Sequence, residues 1–257
     1  MLEQLHIALI QTPLVWEKPK ENRKVLQQKI EAVTPETDLI VLPEMFPSGF
    51  TMNPAAVFET MDGKTVSWLQ QWAKKKDAAI MGSVVIKEND CFYNRLLFVK
   101  PDGSVLHYDK RHTFTLAKED EVYAKGNHKV IIDYKGWKIC PQICYDLRFP
   151  VWSRNVEDYD VLIYVANWPK KRIQAWDVLL QARAIENMSY CIGVNRVGLD
   201  GNDYEYSGHS TVYDALGKQL TYSETEETLY ATLDKSELKK YREKLKFLSD
   251  RDSFTIK

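Results

Sequence analysis

The residue in this chain best suited to chemistry is a cysteine at the end of an apolar run. Trp137-Lys138-Ile139-Cys140-Pro141-Gln142-Ile143 reads as a strand that stops at Cys144, and Tyr145-Asp146-Leu147-Arg148-Phe149-Pro150 reads as a helix start. Backbone N–H groups and a helix dipole at such a corner favour a thiolate, which makes Cys144 a candidate nucleophile. The competing reading is a small buried hydrophobe, the role expected of Cys91 and Cys191. Cys140 is expected in the core rather than as a redox or metal partner of Cys144. Four residues of extended chain span ~13 Å, whereas disulfide-linked Cα atoms lie within ~7 Å.

Three further residues complete a possible site. Glu44 follows the apolar run Asp38-Leu39-Ile40-Val41-Leu42 and sits among Pro43, Met45 and Phe46. A carboxylate desolvated at a strand end has a raised pKa and suits proton transfer, although most such glutamates face solvent. Lys110, in Tyr108-Asp109-Lys110-Arg111-His112, would lower the pKa of a nearby thiol and stabilise an oxyanion, or would belong to a solvated basic turn. Glu119 stands beside Asp120 and Glu121, so composition does not single it out from a solvated acidic turn. His112 and His209 invite a cysteine–histidine reading, but no thiol-protease signature surrounds Cys144, and structural hydrogen bonds are the expected role.

These residues must be positioned by alternating strands and helices. Strand-like runs cover His6–Gln11, Asp38–Leu42, Ala78–Ile86, Tyr93–Val99, Trp137–Ile143, Val161–Ala166 and Tyr190–Asn195. Helical spacing appears over Lys20–Val33, Thr65–Lys75 and Ile173–Met188. Hairpins are expected around Pro101-Asp102-Gly103 and Ala215-Leu216-Gly217, so a mixed sheet, or two packed sheets, fits better than a purely parallel one. No linker or repeat divides the 257 residues, which read as one α/β domain, 1–257, ending in a charged tail from Asp234 that could pack on a neighbouring subunit.

With 44% hydrophobic and 12% aromatic residues the chain can build a sizeable core. Thirty-five basic against thirty-six acidic residues give a net charge of -1, which offers no electrostatic reason to expect a nucleic-acid or membrane partner. No leader-like segment or membrane-length apolar run is found, and four irregularly spaced cysteines fit reduced thiols, so a cytoplasmic location is expected.

Leu42-Pro43-Glu44, Asp109-Lys110-Arg111-His112 and Ile143-Cys144-Tyr145-Asp146-Leu147-Arg148-Phe149-Pro150 resemble, in order and separation, the three motifs of the nitrilase (carbon-nitrogen hydrolase) superfamily. Glu119-x-x-x-Tyr123-x-x-Gly126, the run Gln181–Asn187 and the run Gly208–Asp214 extend the likeness over nearly the whole chain. The resemblance implies a single-domain α-β-β-α sandwich, with Glu44 as general base, Lys110 as cationic stabiliser, Cys144 as nucleophile and Glu119 orienting the lysine. The stretch Cys144–Asn155 and Asn167-Trp168-Pro169 look like the omega-amidase branch, whose members hydrolyse the terminal amide of 2-oxoglutaramate or succinamate. On that basis the Tyr145 N–H would hold the oxyanion, no metal or cofactor would be needed, and a homodimer is expected. Arg148 would either grip the substrate carboxylate or brace an acid such as Asp146, and Phe50, Trp168 and Trp176 would line the pocket or belong to the core. Deaminated-glutathione amidase, N-carbamoyl-amino-acid hydrolase and nitrilase activities share the chemistry, and an inactive binding protein on the same fold is the non-enzymatic alternative. Thr113 stands where the family more often has an apolar residue, a change expected at the pocket wall.

Overall fold

The computed structural model describes residues 3–256. The first half runs β1 (Gln4–Gln11), α1 (Pro19–Ala32), β2 (Leu39–Val41), α2 (Lys64–Lys76), β3 (Ala79–Glu88), β4 (Cys91–Val99), β5 (Val105–Asp109) and a short α3 (Glu119–Val122). The second runs β6 (Ile132–Tyr134), β7 (Trp137–Ile143), α4 (Pro150–Ser153), β8 (Val161–Val165), α5 (Ile173–Asn187) and β9 (Tyr190–Val194). It continues through β10 (Val197–Leu199), β11 (Glu205–Ser207), β12 (Ser210–Tyr213), β13 (Gln219–Ser223), β14 (Glu227–Asp234) and α6 (Lys235–Leu245). Two six-stranded mixed sheets result, ordered β14-β1-β2-β3-β4-β5 and β13-β12-β9-β8-β7-β6, with β10 and β11 forming a separate ribbon.

The continuous apolar runs are explained by burial on both faces of each sheet. Leu39 and Val41 of β2 share a core cluster with Ile139, Ile143 and Ile163 of the other sheet, while Ile40 and the Leu42 that follows the strand cluster with Leu26 and Ile30 of α1 and Leu69 and Trp72 of α2. The second sheet repeats the arrangement. Val161 and Ile163 of β8 face the first sheet, and Leu162 and Tyr164 lie under Trp176, Leu180 and Ala184 of α5. Layers therefore stack as helices, sheet, sheet, helices. Gly193 lets α5 approach β9, since a Cβ there would stand 2.4 Å from a Leu180 methyl.

Both anticipated hairpins form, β4–β5 and β12–β13. The chain's ends hold two elements the sequence pattern left unread. β14 pairs antiparallel with β1 along its whole length, Gln4 opposite Asp234 to Gln11 opposite Glu227. Within the charged tail, α6 packs on its own chain: Leu238 enters the core between the sheets and Arg242 donates to the Met188 and Tyr159 carbonyls. Cys91, expected to be buried, is exposed at the start of β4, next to the Asn89-Asp90 turn. Cys140 and Cys191 are buried in the layer under α5.

Candidate active site

Four loops leaving the sheets converge on one point. After β2 the chain turns sharply through Pro43, Glu44 and Met45; Met45 takes a positive φ of 42°, and its N–H donates to Ser83 Oγ of β3 at 2.7 Å. This bend drives the Glu44 side chain inward, where it is fully buried. Lys110 follows β5, with its backbone N–H bonded to the Asn94 carbonyl and its carbonyl receiving the Gly126 N–H at 2.9 Å. A Cβ at Gly126 would stand 2.1 Å from the Asp109 carbonyl oxygen, so only glycine permits this close approach.

Lys110 Nζ lies between two carboxylates, 2.9 Å from Glu44 Oε1 and 3.0 and 2.9 Å from the two oxygens of Glu119. Asn94 Nδ2 donates to both acids, and the Phe114 N–H fixes Glu119 Oε2 at 2.5 Å. The second oxygen of Glu44 accepts the Asn167 N–H at 2.8 Å, while Asn167 Nδ2 returns to the Glu44 carbonyl. Burial tends to strip the charge from the Lys110 ammonium, but the two carboxylates outweigh it and hold its pKa above the ordinary lysine value. Burial pushes the Glu119 carboxyl upward, and the neighbouring ammonium opposes that shift.

Cys144 directly follows β7 in a left-handed conformation, φ 45°, an unfavourable setting for a residue with a side chain, and it lines a cavity. From here the chain enters a 3-10 turn, Cys144–Arg148, rather than the α-helix start expected. The thiolate expectation is also reversed. Burial first, then the Glu44 carboxylate, push the thiol well above its ordinary range, and the Lys110 charge offsets only part of this. The resting group is a thiol that must lose its proton to become a nucleophile.

The turn is clamped by Asp146, and Arg148 has no part in the clamp. Asp146 accepts from the Ile143 N–H, the Tyr108 hydroxyl, the His112 N–H and His112 Nδ1 at 2.8–3.0 Å. The His112 ring stacks on Phe149 with centroids 3.7 Å apart. His209 hydrogen-bonds Asp177 and Tyr222 at 3.0 Å. Both histidines are thus engaged in structural bonds.

A cavity of about 610 Å³ opens over Cys144. Lys110, Phe50, Tyr145, Trp168 and Arg148 line it, as do Asn167, named only within the Asn167-Trp168-Pro169 stretch, and Arg172 and Tyr206, which the sequence pattern did not single out. Trp176, for which wall and core were both open, belongs to the core: it is fully buried behind Trp168, with ring centroids 5.5 Å apart, and donates to the His209 carbonyl. Thr113 is buried and does not reach the cavity. Asn195, also missed, pins the wall: its side chain accepts the Trp168 N–H and donates to the Trp168 and Gly208 carbonyls. An asparagine directly after a buried strand is its only trace in the sequence.

Comparison with known proteins agrees with this geometry. The carbon-nitrogen hydrolase family model matches residues 6–243. The omega-amidase YafV of Yersinia enterocolitica is 44% identical over 259 residues, 99% of this chain and 100% of that protein. The 2-oxoglutaramate amidase of Bacillus subtilis is 33% identical over 250 residues, 95% and 96% of the two chains. The crystal structure of XC1258 from Xanthomonas campestris, a CN-hydrolase superfamily protein with an arsenic adduct in its active site, matches with a TM-score of 0.97 at 41% identity over 100% of both chains. The chain belongs to the carbon-nitrogen hydrolase family, within the omega-amidase branch of the nitrilase superfamily.

Proposed function

We propose that this chain hydrolyses the terminal amide of small dicarboxylic acid monoamides, converting 2-oxoglutaramate and water to 2-oxoglutarate and ammonia, and also accepting succinamate. The observation that carries the reading is the buried Glu44–Lys110–Glu119 cluster set beside the Cys144 thiol at a cavity. The likeness to proteins named omega-amidase and 2-oxoglutaramate amidase supports the substrate class.

In this mechanism Glu44 accepts the Cys144 proton as sulfur attacks the amide carbon. The tetrahedral oxyanion sits between the Lys110 ammonium and the N–H of Tyr145, which as an early residue of its turn has no intrahelical acceptor. Glu44 returns the proton to the departing nitrogen, the C–N bond breaks, and ammonia leaves a thioester. Water, deprotonated by the same carboxylate, then cleaves the C–S bond and restores the thiol. Glu119 acts through Lys110, fixing its ammonium with both oxygens.

We also infer one functional unit acting in the cytoplasm and pairing as a homodimer through the segment after α6, where Phe247, Phe254 and Ile256 are exposed. No helix among the described residues is long and apolar enough to cross a membrane. The deciding experiment is ammonia release from 2-oxoglutaramate, succinamate, deaminated glutathione, an N-carbamoyl amino acid and a nitrile. Omega-amides are expected to be turned over best; turnover of the carbamoyl compound with none of any omega-amide would overturn the assignment. A protein that releases no ammonia and leaves Cys144 unmodified by a reactive amide would instead be a binding protein on this fold.

A further inference from the structure

Five of the chain's arginines are neutralised by carboxylates: Arg23 by Glu59, Arg95 by Asp109, Arg183 by Glu186, Arg242 by Asp160 and Arg251 by Asp158. Arg111, Arg154 and Arg196 lack a carboxylate but donate to the backbone carbonyls of Gly126, Glu186 and Leu14. Arg148 and Arg172 differ. Both line the cavity over Cys144, and among the described residues neither guanidinium has a carboxylate within salt-bridge distance. Aromatic rings hold them instead. The Arg148 guanidinium carbon lies 4.9 Å from the centre of the Trp168 ring, and that of Arg172 lies 5.0 Å from the Phe114 ring. Stacking fixes a guanidinium's plane while leaving its forked N–H donors free.

The same scaffold ties both arginines to the reacting centre. Trp168 carries Arg148 on its face and donates its indole N–H to the Arg172 carbonyl at 2.8 Å, and it follows Asn167, whose N–H holds Glu44. Phe114, under Arg172, packs on Tyr145 at 4.9 Å, and its own N–H holds Glu119. The cavity wall also carries two acids, Asp200 and Glu17, and neither is in contact with these guanidiniums. Asp200 accepts the Tyr206 hydroxyl and the Asn202 and Tyr204 N–H groups, and Glu17 accepts the Thr51 hydroxyl.

We propose that Arg172, acting with Arg148, is the specificity-determining clamp for the carboxylate at the far end of the substrate, so that the site selects anionic omega-amides over neutral amides of equal length. This deepens the amidase reading and rests on it. Two uncompensated guanidiniums on one wall attract a carboxylate and offer bidentate hydrogen bonds, whereas a neutral amide gains neither. Arg148 adjoins the nucleophile turn and Arg172 precedes α5, so the clamp forms only where two distant segments meet at Trp168.

The test measures kcat/KM for succinamate and for butyramide in wild type, Arg172→Gln, Arg172→Lys and Arg148→Gln. The ratio of the two constants is expected to fall about 10- to 100-fold in each Gln variant, the loss of a hydrogen-bonded charge pair. Arg172→Lys should restore part of it, because the charge returns without the fork. Lys170→Gln, which removes an exposed cation paired with Glu205, should leave the ratio unchanged. An unaltered ratio in Arg172→Gln would overturn the clamp. A second measurement needs no turnover: protection of Cys144 from iodoacetamide by 2-oxoglutarate, followed by intact mass. Protection that weakens about 10-fold or more in Arg172→Gln upholds the clamp even if no amide is hydrolysed, and equal protection in both proteins, or none in wild type, refutes it.

Discussion

Replacing Glu44 by Gln separates the proposed proton acceptor from the packing that holds it. Oε1 of Glu44 accepts from Asn94 and Lys110, and Oε2 accepts from the Asn167 N–H. The amide retains one acceptor oxygen and turns a donor toward either Lys110 or the Asn167 N–H, leaving a buried donor unpaired at a cost of about 1–3 kcal/mol. Lys110 keeps both oxygens of Glu119, so its charge is not stranded and the fold should persist. At the thiol the substitution acts in the opposite sense, since after burial the Glu44 charge is the largest influence holding the Cys144 pKa up. The Asn167 backbone touches both groups, its N–H 2.8 Å from Glu44 Oε2 and its carbonyl 3.9 Å from Sγ. Glu44→Gln is therefore expected to titrate its thiol lower than wild type and to alkylate faster at neutral pH, while turnover falls ~10²–10⁴-fold with the loss of the base. Iodoacetamide labelling followed by intact mass across a pH series, run beside ammonia release, reads both effects. A thiol midpoint that stays put or rises would refute the electrostatic reasoning, and turnover within a few-fold of wild type would remove Glu44 as the base.

His112→Ala removes the 2.8 Å bond to Asp146 and the stack on Phe149, and should lower stability by about 1–2 kcal/mol in urea titration while acyl-enzyme formation persists. Loss of the acyl-enzyme burst at unchanged stability would instead make the histidine the base. Gly126→Ala must push the Asp109–Lys110 backbone aside, because its Cβ would meet the Asp109 carbonyl at 2.1 Å. Misplacing a catalytic group by about 1 Å costs ~10²-fold, so kcat should drop by about that factor with the circular dichroism spectrum preserved, and a fully active variant would contradict the role assigned to this close approach.

Much of the architecture was legible because buried strands and amphipathic helices leave periodic apolar patterns. Leu39-Ile40-Val41 alternates between two apolar environments, so its unbroken hydrophobicity announces a strand covered on both faces. The weakly patterned β14 left no such signature. Its residues are largely exposed or half-buried on one side, and what fixes it is backbone pairing with β1, more than two hundred positions away in the chain.

The sequence by itself determined the ingredients of the site, since the residue types around Glu44, Lys110 and Cys144, at their separations, match a family pattern. It did not determine their charge state, which depends on distances between segments that only folding brings together. The corner at Cys144 looked thiolate-forming while its N–H groups and Lys110 were considered alone. In the folded chain burial and the Glu44 carboxylate reverse that preference. Tertiary structure also decided Arg148, because Asp146 is satisfied by Tyr108, His112 and Ile143 and leaves the guanidinium free at the cavity. It placed Trp176 in the core and brought Arg172 to the cavity wall, where the Trp168 indole N–H holds its carbonyl. Local pattern encodes which elements form, whereas pKa and specificity arise from through-space fields and contacts that no single segment contains.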